Sequence, residues 1–198
     1  FLKSSKLSQI SSYEVVGDFS SAAFIIVAAL ISKNSEVLIK NVGLNETRSG
    51  LLEVLLKMNA NIEIVNKRQT CNEDCGDIFI KSSKLVGINV PNSIIPNIID
   101  EIPILSVAAS FADGQTTIKN AFELKVKESD RLHSTSMGLK AMNISHDLLD
   151  DGLVINGTQD DVEIHEEIES FGDHRIAMSF LIAGLRSKNG VKVKNCSN

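Results

Sequence analysis

The sequence predicts an α/β domain built from a repeated unit, with buried helices at the centre and sheets outside. Three segments of the 198-residue chain resemble one another, and each begins with an acidic residue. Each continues as a short helix that is apolar on nearly every face and ends in a polar break before a strand-like run. The segments are residues 17–32, 96–114 and 172–190, and the strand candidates that follow them are 37–41, 116–120 and 191–194.

The apolar helices predict a common centre, because a helix that is apolar all round must be buried on every side. Between them lie two helix candidates, 47–58 and 128–142, with polar residues on one side and apolar ones on the other. Two pairs of strand candidates follow these helices: 61–65 with 77–81, and 143–149 with 152–156. The unit is therefore buried helix, strand, amphipathic helix, strand, strand, and it occurs about two and a half times.

Composition and charge exclude several classes of function. The chain is 43% hydrophobic and 23% charged, which is ordinary for a globular protein. Its net charge of −5 and pI of about 5.4 argue against a nucleic-acid binder, which usually carries a basic balance. The longest apolar run, residues 22–31, is about half of the roughly 20 residues that a membrane helix needs, so it indicates a core helix.

The two ends of the sequence suggest a piece of a longer protein. It starts at Phe1, residues 1–12 form a leading segment without the apolar stretch of a signal peptide, and it stops just after a strand-like run. Residues 1–198 contain no linker rich in Ser, Gly or Pro, so we expect one domain.

The three cysteines indicate free thiols in a reducing cytoplasm, with a metal or disulfide role as the alternative. Residues 71–75, which hold two of these cysteines, are polar and predict a loop. The third is Cys196, close to the end of the chain.

The densest charged segment is residues 125–131, with two lysines, an arginine and two acids. Ser129 or Glu128 is a plausible N-cap, and Lys127 and Arg131 would then lie near one face of the helix. Because a helix N-terminus adds free N–H groups and partial positive charge, this segment predicts a phosphate or carboxylate site. A solvated charge run at a helix start remains the plainer alternative.

Three further helix starts carry polar side chains. An arginine that begins a buried helix, as Arg175 does, must end in a cleft or pair with an acid, and Asp173 could simply cap that helix. Asp100 precedes Pro103, which fits a first helical turn, so its carboxylate is a cap or a general base. The serines of residues 17–21 predict a cap alone.

The repeat places Asp100 and residues 173–175 on one face, and residues 127–131 join them only if their loop returns to that face. Such a set of cations around a carboxylate suits an anionic substrate and a proton transfer.

Five motifs in the correct order resemble those of the 5-enolpyruvylshikimate-3-phosphate (EPSP) synthases of bacteria. They are GD-x-SSA in residues 16–23, the NETRSG stretch with LLKMNA in residues 45–60, IDEIP in residues 99–103, VKESDRL in residues 126–132, and DHRIAM in residues 173–178. The resemblance covers nearly the whole chain. It implies two similar domains of three βαβαββ units each, with the active site between them. This chain resembles most of the C-terminal domain.

The resemblance also implies a reaction and roles. An enzyme of this family moves the enolpyruvyl group of phosphoenolpyruvate to the 5-hydroxyl of shikimate 3-phosphate, in the cytoplasm, as a monomer, without metal or organic cofactor. Asp100 falls on the proton acceptor near that hydroxyl, and Lys127 on a shikimate 3-phosphate contact. Arg131 and Arg175 fall on the residues that grip phosphoenolpyruvate. Two further positions complete the set: Glu128, placed for proton transfer to the enolpyruvyl carbon, and His174, which is supporting.

The sequence departs from the family pattern at Glu123, where some members have an asparagine that contacts substrate, so that contact is not expected here. A phosphoenolpyruvate-binding lysine expected soon after Asn198 and the N-terminal domain both lie outside the sequence, so we expect the isolated chain to be inactive. The alternatives are a UDP-N-acetylglucosamine enolpyruvyl transferase, which shares fold and chemistry, and a non-catalytic domain of the same fold. Glyphosate sensitivity depends mainly on residues outside this chain.

Overall fold

Three helices, α1 (Phe19–Ile31), α3 (Ile102–Ser110) and α5 (His174–Ala183), pack against one another at the centre of the computed structural model, which describes residues 12–196. Every residue of α3 is buried. The predicted central helices are thus confirmed, and their side chains belong to one continuous hydrophobic core.

Burial on every side holds for α3 but is wrong for α1, where Ile25 is 46% exposed, and for α5. Met178 and Leu181 of α5 are 37% and 49% exposed. A further helix, α4 (Arg131–Ala141), contacts both α3 and α5.

Two three-stranded antiparallel sheets lie on the outside of this centre. The first has the order β1 (Glu36–Gly43), β3 (Glu73–Lys81), β2 (Asn61–Thr70). The second repeats this arrangement, with the middle strand last in sequence, in the order β4 (Gln115–Ile118), β6 (Gly152–Asn156), β5 (His146–Leu149). The strand pairs predicted from the sequence are therefore confirmed, and the two sheets are equivalent parts of the repeat.

The third unit shows a strand that the sequence did not reveal. β7 (Ile168–Glu169) precedes α5 and pairs parallel with β8 (Val193–Lys194). The first two units reduce the same pairing to single parallel bridges, Gly17 with Val42 and Asn89 with Thr117. A parallel pairing therefore precedes each buried helix, as a two-residue strand in the third unit and as a bridge in the first two, which corresponds to the order βαβαββ.

The backbone also repeats at asparagines. Asn41, Asn120 and Asn195 each follow a lysine and have φ of 56°, 60° and 56°. Asn41 lies at an irregularity within β1, and the other two lie just beyond β4 and β8. Asn59 and Asn143 follow the two amphipathic helices with φ of 69° and 56°. Asparagine tolerates this left-handed conformation better than most residues because its short side chain hydrogen-bonds locally.

Several boundaries differ from the sequence prediction. The second helix, α2 (Gly50–Lys57), begins three residues later than expected, because the Asn45 carbonyl accepts hydrogen bonds from the N–H groups of Arg48 and Ser49 and holds a turn there. The predicted loop at residues 71–75 is wrong. Only Cys71 and Asn72 form the turn, both with positive φ as in a type I′ hairpin, and Cys75 is a buried residue of β3.

Close packing joins α4 to α5. A Cβ added to Gly138 of α4 would overlap the ring of Phe180 on α5. The absence of a side chain at Gly138 therefore sets how near these two helices lie.

No helix within residues 12–196 is long and apolar enough to cross a membrane. The expected leading segment lies mostly in residues 1–11, outside the described residues.

Candidate functional site

Charged side chains from the starts of α3, α4 and α5 meet at one end of the domain. Arg131 begins α4, and its Nη1 donates to Oδ1 of Asp100 at 3.0 Å. Arg175, in the first turn of α5, donates from Nη1 to the carbonyl of Asp100 at 3.2 Å. The predicted common face is confirmed, and the loop before α4 does return to it.

Arg131 is the most deeply buried cation of this cluster, at 1% exposure. Its Nε donates to Oδ2 of Asp173 at 2.7 Å, and its Nη2 donates to Oε2 of Glu128 at 2.5 Å. With the contact to Asp100, each guanidinium nitrogen has a carboxylate partner. A buried arginine is tolerable only when it is paired in this way, so its orientation is fixed.

The capping residues differ from those predicted. Asp130 caps α4 by accepting from the N–H of His133 at 3.0 Å, so neither Ser129 nor Glu128 is the cap, and Lys127 precedes the helix. Asp18, and not a serine, caps α1 by accepting from the N–H of Ser21.

Asp173 has two functions at once. Its side chain is fully buried, and its Oδ1 accepts from the backbone N–H groups of Arg175 and Ile176, so it caps α5 as one interpretation predicted. Its Oδ2 accepts from Arg131. Burial opposes the charge of Asp173, but the hydrogen bond and charge of Arg131 and the two helix N–H groups outweigh it and hold its pKa below the ordinary value.

Asp100 is surrounded by three cations. Its Oδ1 lies 3.6 Å from Nζ of Lys127 and its Oδ2 lies 3.8 Å from Nη2 of Arg175, in addition to the contact with Arg131. Partial burial favours the neutral acid, but the charges of Arg175, Lys127 and Arg131 prevail and hold the pKa of Asp100 below its ordinary value. It does not cap α3, whose start has no side-chain cap.

Lys127 has a second carboxylate partner. Its Nζ lies 2.5 Å from Oε1 of Glu123 on the turn before it. The hydrogen bond that Lys127 donates to Glu123 raises the pKa of Lys127, and the charge of Asp100 adds to the effect. Lys127 is 23% exposed, so a phosphate can approach it from solvent.

Two predicted residues lie at the margin. Glu128 is 53% exposed and contacts the cluster through Arg131. His174 is the first residue of α5 and is exposed.

Sequence reasoning missed a further group behind Arg175: Glu101, Ser20 and Arg48. The hydroxyl of Ser20 donates to Glu101, and Arg48 donates to Ser20. The sequence signal is an acid flanked by apolar residues in 98–105, which marks Glu101 alone and does not identify its partners.

The cluster can hold an anion and accept a proton. Lys127, Arg131 and Arg175 all lie against the ionised carboxylate of Asp100. The side chains of Asp100 and Arg175 remain 22% and 15% exposed. Partly buried cations of fixed orientation bind phosphate and carboxylate groups well. Asp100 contacts all three cations, so an anion held by them would lie beside its carboxylate.

Comparison with known proteins agrees with the motifs. The family model of EPSP synthase (3-phosphoshikimate 1-carboxyvinyltransferase) matches residues 4–198. The 3-phosphoshikimate 1-carboxyvinyltransferase of Petrotoga mobilis is 50% identical over 181 residues, which are 91% of this chain and 42% of that protein. The enzyme of the same name from Magnetococcus marinus is 45% identical over 185 residues, 93% of this chain and 42% of its own length. The chain thus spans less than half of the curated relatives that it matches.

Solved structures show the same fold. EPSP synthase from Acinetobacter baumannii superposes with a TM-score of 0.88 at 42% identity, over 92% of this chain and 42% of that one. The enolpyruvyl transferase NikO from Streptomyces tendae reaches a TM-score of 0.63 at 16% identity, over 92% of this chain and 39% of that one, which shows a shared fold. The match of the family model to nearly the whole sequence decides the assignment, and the chain belongs to the EPSP synthase family.

Proposed function

We propose that this chain forms the C-terminal half of the active site of an enzyme that transfers the enolpyruvyl group of phosphoenolpyruvate to the 5-hydroxyl of shikimate 3-phosphate. The observation that carries the proposal is the position of Asp100 among Lys127, Arg131 and Arg175. Both substrates are small anions, and the reaction begins by removing a proton from a hydroxyl. A carboxylate among three cations matches both requirements.

In the proposed addition step, Asp100 accepts the proton of the 5-hydroxyl while the oxygen of that hydroxyl forms a bond to C2 of phosphoenolpyruvate. Glu128 delivers a proton to C3, which becomes a methyl group. Arg131 and Arg175 hold the phosphoenolpyruvate, and Lys127 holds the phosphate of shikimate 3-phosphate. In the elimination step the bond between C2 and the phosphate oxygen breaks and phosphate leaves with the electron pair. C3 returns a proton to Glu128 as the double bond re-forms, and Asp100 gives its proton to the departing phosphate.

The low pKa of Asp100 keeps it ionised and ready to accept a proton at neutral pH. Its proton affinity is small while three cations surround it. Anionic substrates would neutralise those cations, and the pKa of Asp100 would then rise toward that of a better base. Substrate binding therefore activates the base in this scheme.

The second half of the cleft is assigned to an N-terminal domain of the same polypeptide, the partner that the family resemblance implies, in a monomeric cytoplasmic enzyme. The isolated chain should not turn over, because half a cleft cannot enclose two substrates. The names of the relatives favour shikimate 3-phosphate over UDP-N-acetylglucosamine as the acceptor, since the curated relatives that match are 3-phosphoshikimate 1-carboxyvinyltransferases.

The test is phosphate release by the full-length enzyme from the two substrates. Asp100→Ala and Arg131→Ala should each lower kcat/KM by about 100-fold or more, as loss of a general base or of a charged donor to a transition state does. The control is Glu163→Gln, which removes one partner of an exposed ion pair with Lys188 outside the cluster. Its kcat/KM should match that of the wild type. Unchanged phosphate release in Asp100→Ala would rule out the assignment of the base.

A further inference from the structure

Glu101 is a buried carboxylate to which the proposed reaction gives no task. It is 3% exposed and lies between Asp100 and the first residue of α3. Burial raises its pKa, against the hydrogen bond of Ser20 and the charge of Arg175. A buried carboxylate destabilises the folded state unless it is hydrogen-bonded or paired with a cation.

A capping role does not account for Glu101. It occupies the N-cap position of α3, but its side chain makes no capping hydrogen bond to that helix. The Oε1 atom accepts from the hydroxyl of Ser20 at 2.5 Å and from Nη1 of Arg175 at 3.4 Å. The carboxylate of Glu101 therefore contacts α1 and α5 and not its own helix.

Ser20 extends the chain of contacts to a third element. Its hydroxyl accepts a hydrogen bond at 3.0 Å from Nη2 of Arg48, which lies in the turn that precedes α2. The order of contacts is Arg48, Ser20, Glu101, Arg175. Since Glu101 is buried and Arg175 is 15% exposed, the glutamate holds the guanidinium from the inner side and leaves the outer side to solvent.

The two arginines of the site are thus held in parallel ways. Asp173 is the buried carboxylate behind Arg131, and Glu101 is the buried carboxylate behind Arg175. We infer that Glu101 is a positioning residue, anchored by Ser20, that aims the Arg175 guanidinium at the carboxylate or phosphate of phosphoenolpyruvate. This inference rests on the proposed function.

The test compares Glu101→Gln with wild-type full-length enzyme, using steady-state rates with each substrate varied in turn. Glutamine keeps the size of the side chain and its acceptor oxygen but removes the charge that orients Arg175. The KM for phosphoenolpyruvate should rise about tenfold, whereas the KM for shikimate 3-phosphate should stay within about twofold of the wild type. Ser20→Ala removes the anchor of Glu101, together with the contact to Arg48, and should shift the same constant in the same direction by a smaller factor.

A second arm separates positioning from general damage. In an Arg175→Lys background the guanidinium that Glu101 orients is absent. Adding Glu101→Gln should then change the KM for phosphoenolpyruvate by less than about twofold. Equal rises in both KM values, an unchanged KM for phosphoenolpyruvate, or additive effects in the Lys background would each overturn the inference. If the wild-type enzyme releases no phosphate, the proposed function itself fails, which is a distinct result.

Discussion

Arg131 and Asp173 form a buried ion pair across 42 residues of sequence, with Nε 2.7 Å from Oδ2 and side-chain exposures of 1% and 0%. The pair joins the first residue of α4 to the cap of α5. One carboxylate therefore fixes both a helix start and the direction of an arginine that faces the candidate site.

Replacing Asp173 with Asn should lower the free energy of unfolding by about 3 kcal/mol. Arg131 would keep its charge in a buried position with one carboxylate fewer. Urea unfolding of the chain followed by far-UV circular dichroism measures this loss. In the full-length enzyme the same variant should lose about 100-fold in kcat/KM, because Arg131 is no longer held in one direction.

The matched control is Asp130→Asn. Asp130 also caps a helix, but it is exposed, and asparagine is as good a cap as aspartate. This variant should unfold within about 0.5 kcal/mol of the wild type. Equal stability of Asp173→Asn and Asp130→Asn would contradict the importance of the buried pair.

Stability should fall in acid because of the site aspartates. The folded state lowers the pKa of Asp173 and of Asp100 below the ordinary 3.8. Below that value the unfolded chain binds more protons than the folded chain, so stability present above about pH 4 is lost as pH falls through the folded pKa values. Glu101, whose pKa is raised above 4.5, has the opposite dependence and loses its contribution as pH rises.

Unfolding measured from pH 7 to pH 2.5 tests this sign. The wild type should decline steeply below pH 4, and Asp173→Asn should decline less over the same range since it lacks one of the titrating groups. Parallel curves for the two proteins would show that Asp173 does not contribute to the acid transition.

Removing the charge of Glu123 should strengthen binding of shikimate 3-phosphate. Glu123 occupies one side of Lys127 and competes with the substrate phosphate for its ammonium group. Glu123→Gln should therefore lower the KM for shikimate 3-phosphate about threefold, within the range of a partly exposed ion pair.

The control for that variant is Glu53→Gln. Glu53 and Lys57 form an ion pair with the same four-residue spacing on α2. Its KM should equal that of the wild type. A higher KM for Glu123→Gln would mean that Glu123 supports Lys127 and does not compete with substrate.

Gly138→Ala should destabilise the chain by about 2 kcal/mol, since the added methyl group meets the Phe180 ring and overpacking outweighs the gain in helix propensity. Phe180→Leu in the same chain makes room and should restore part of the loss, as a comparison of the two single variants with the double variant will show. Additive losses would indicate that the contact does not limit the approach of α4 to α5.

The repeat and its order of elements were predictable because a buried helix and an alternating strand leave clear patterns in hydrophobicity. The three central helices and both hairpins were found in this way. The start of α2 was placed too early because the turn at Asn45 depends on backbone hydrogen bonds that hydrophobicity does not record. The two-residue β7 was missed because so short a segment carries no periodicity.

The site was predictable in part. The charges at residues 100, 127, 131 and 175 stood out in sequence, and the repeat placed two of the segments together. The pairing of Glu101 with Ser20 was not predictable, since 81 residues separate them and each alone has a simpler interpretation. The roles assigned to the site residues stay predictions until the variants are measured.

The acids at the starts of the three buried helices differ in what they bind. Asp18 is still only a cap, whereas Asp173 caps its helix and also holds Arg131. Asp100 caps nothing, and Pro103 in the first turn of α3 leaves one N–H fewer to satisfy. Two of these three equivalent acids are thus committed to the ends of their own helices, and the carboxylate of Asp100, which is not, is the one left to face the candidate site.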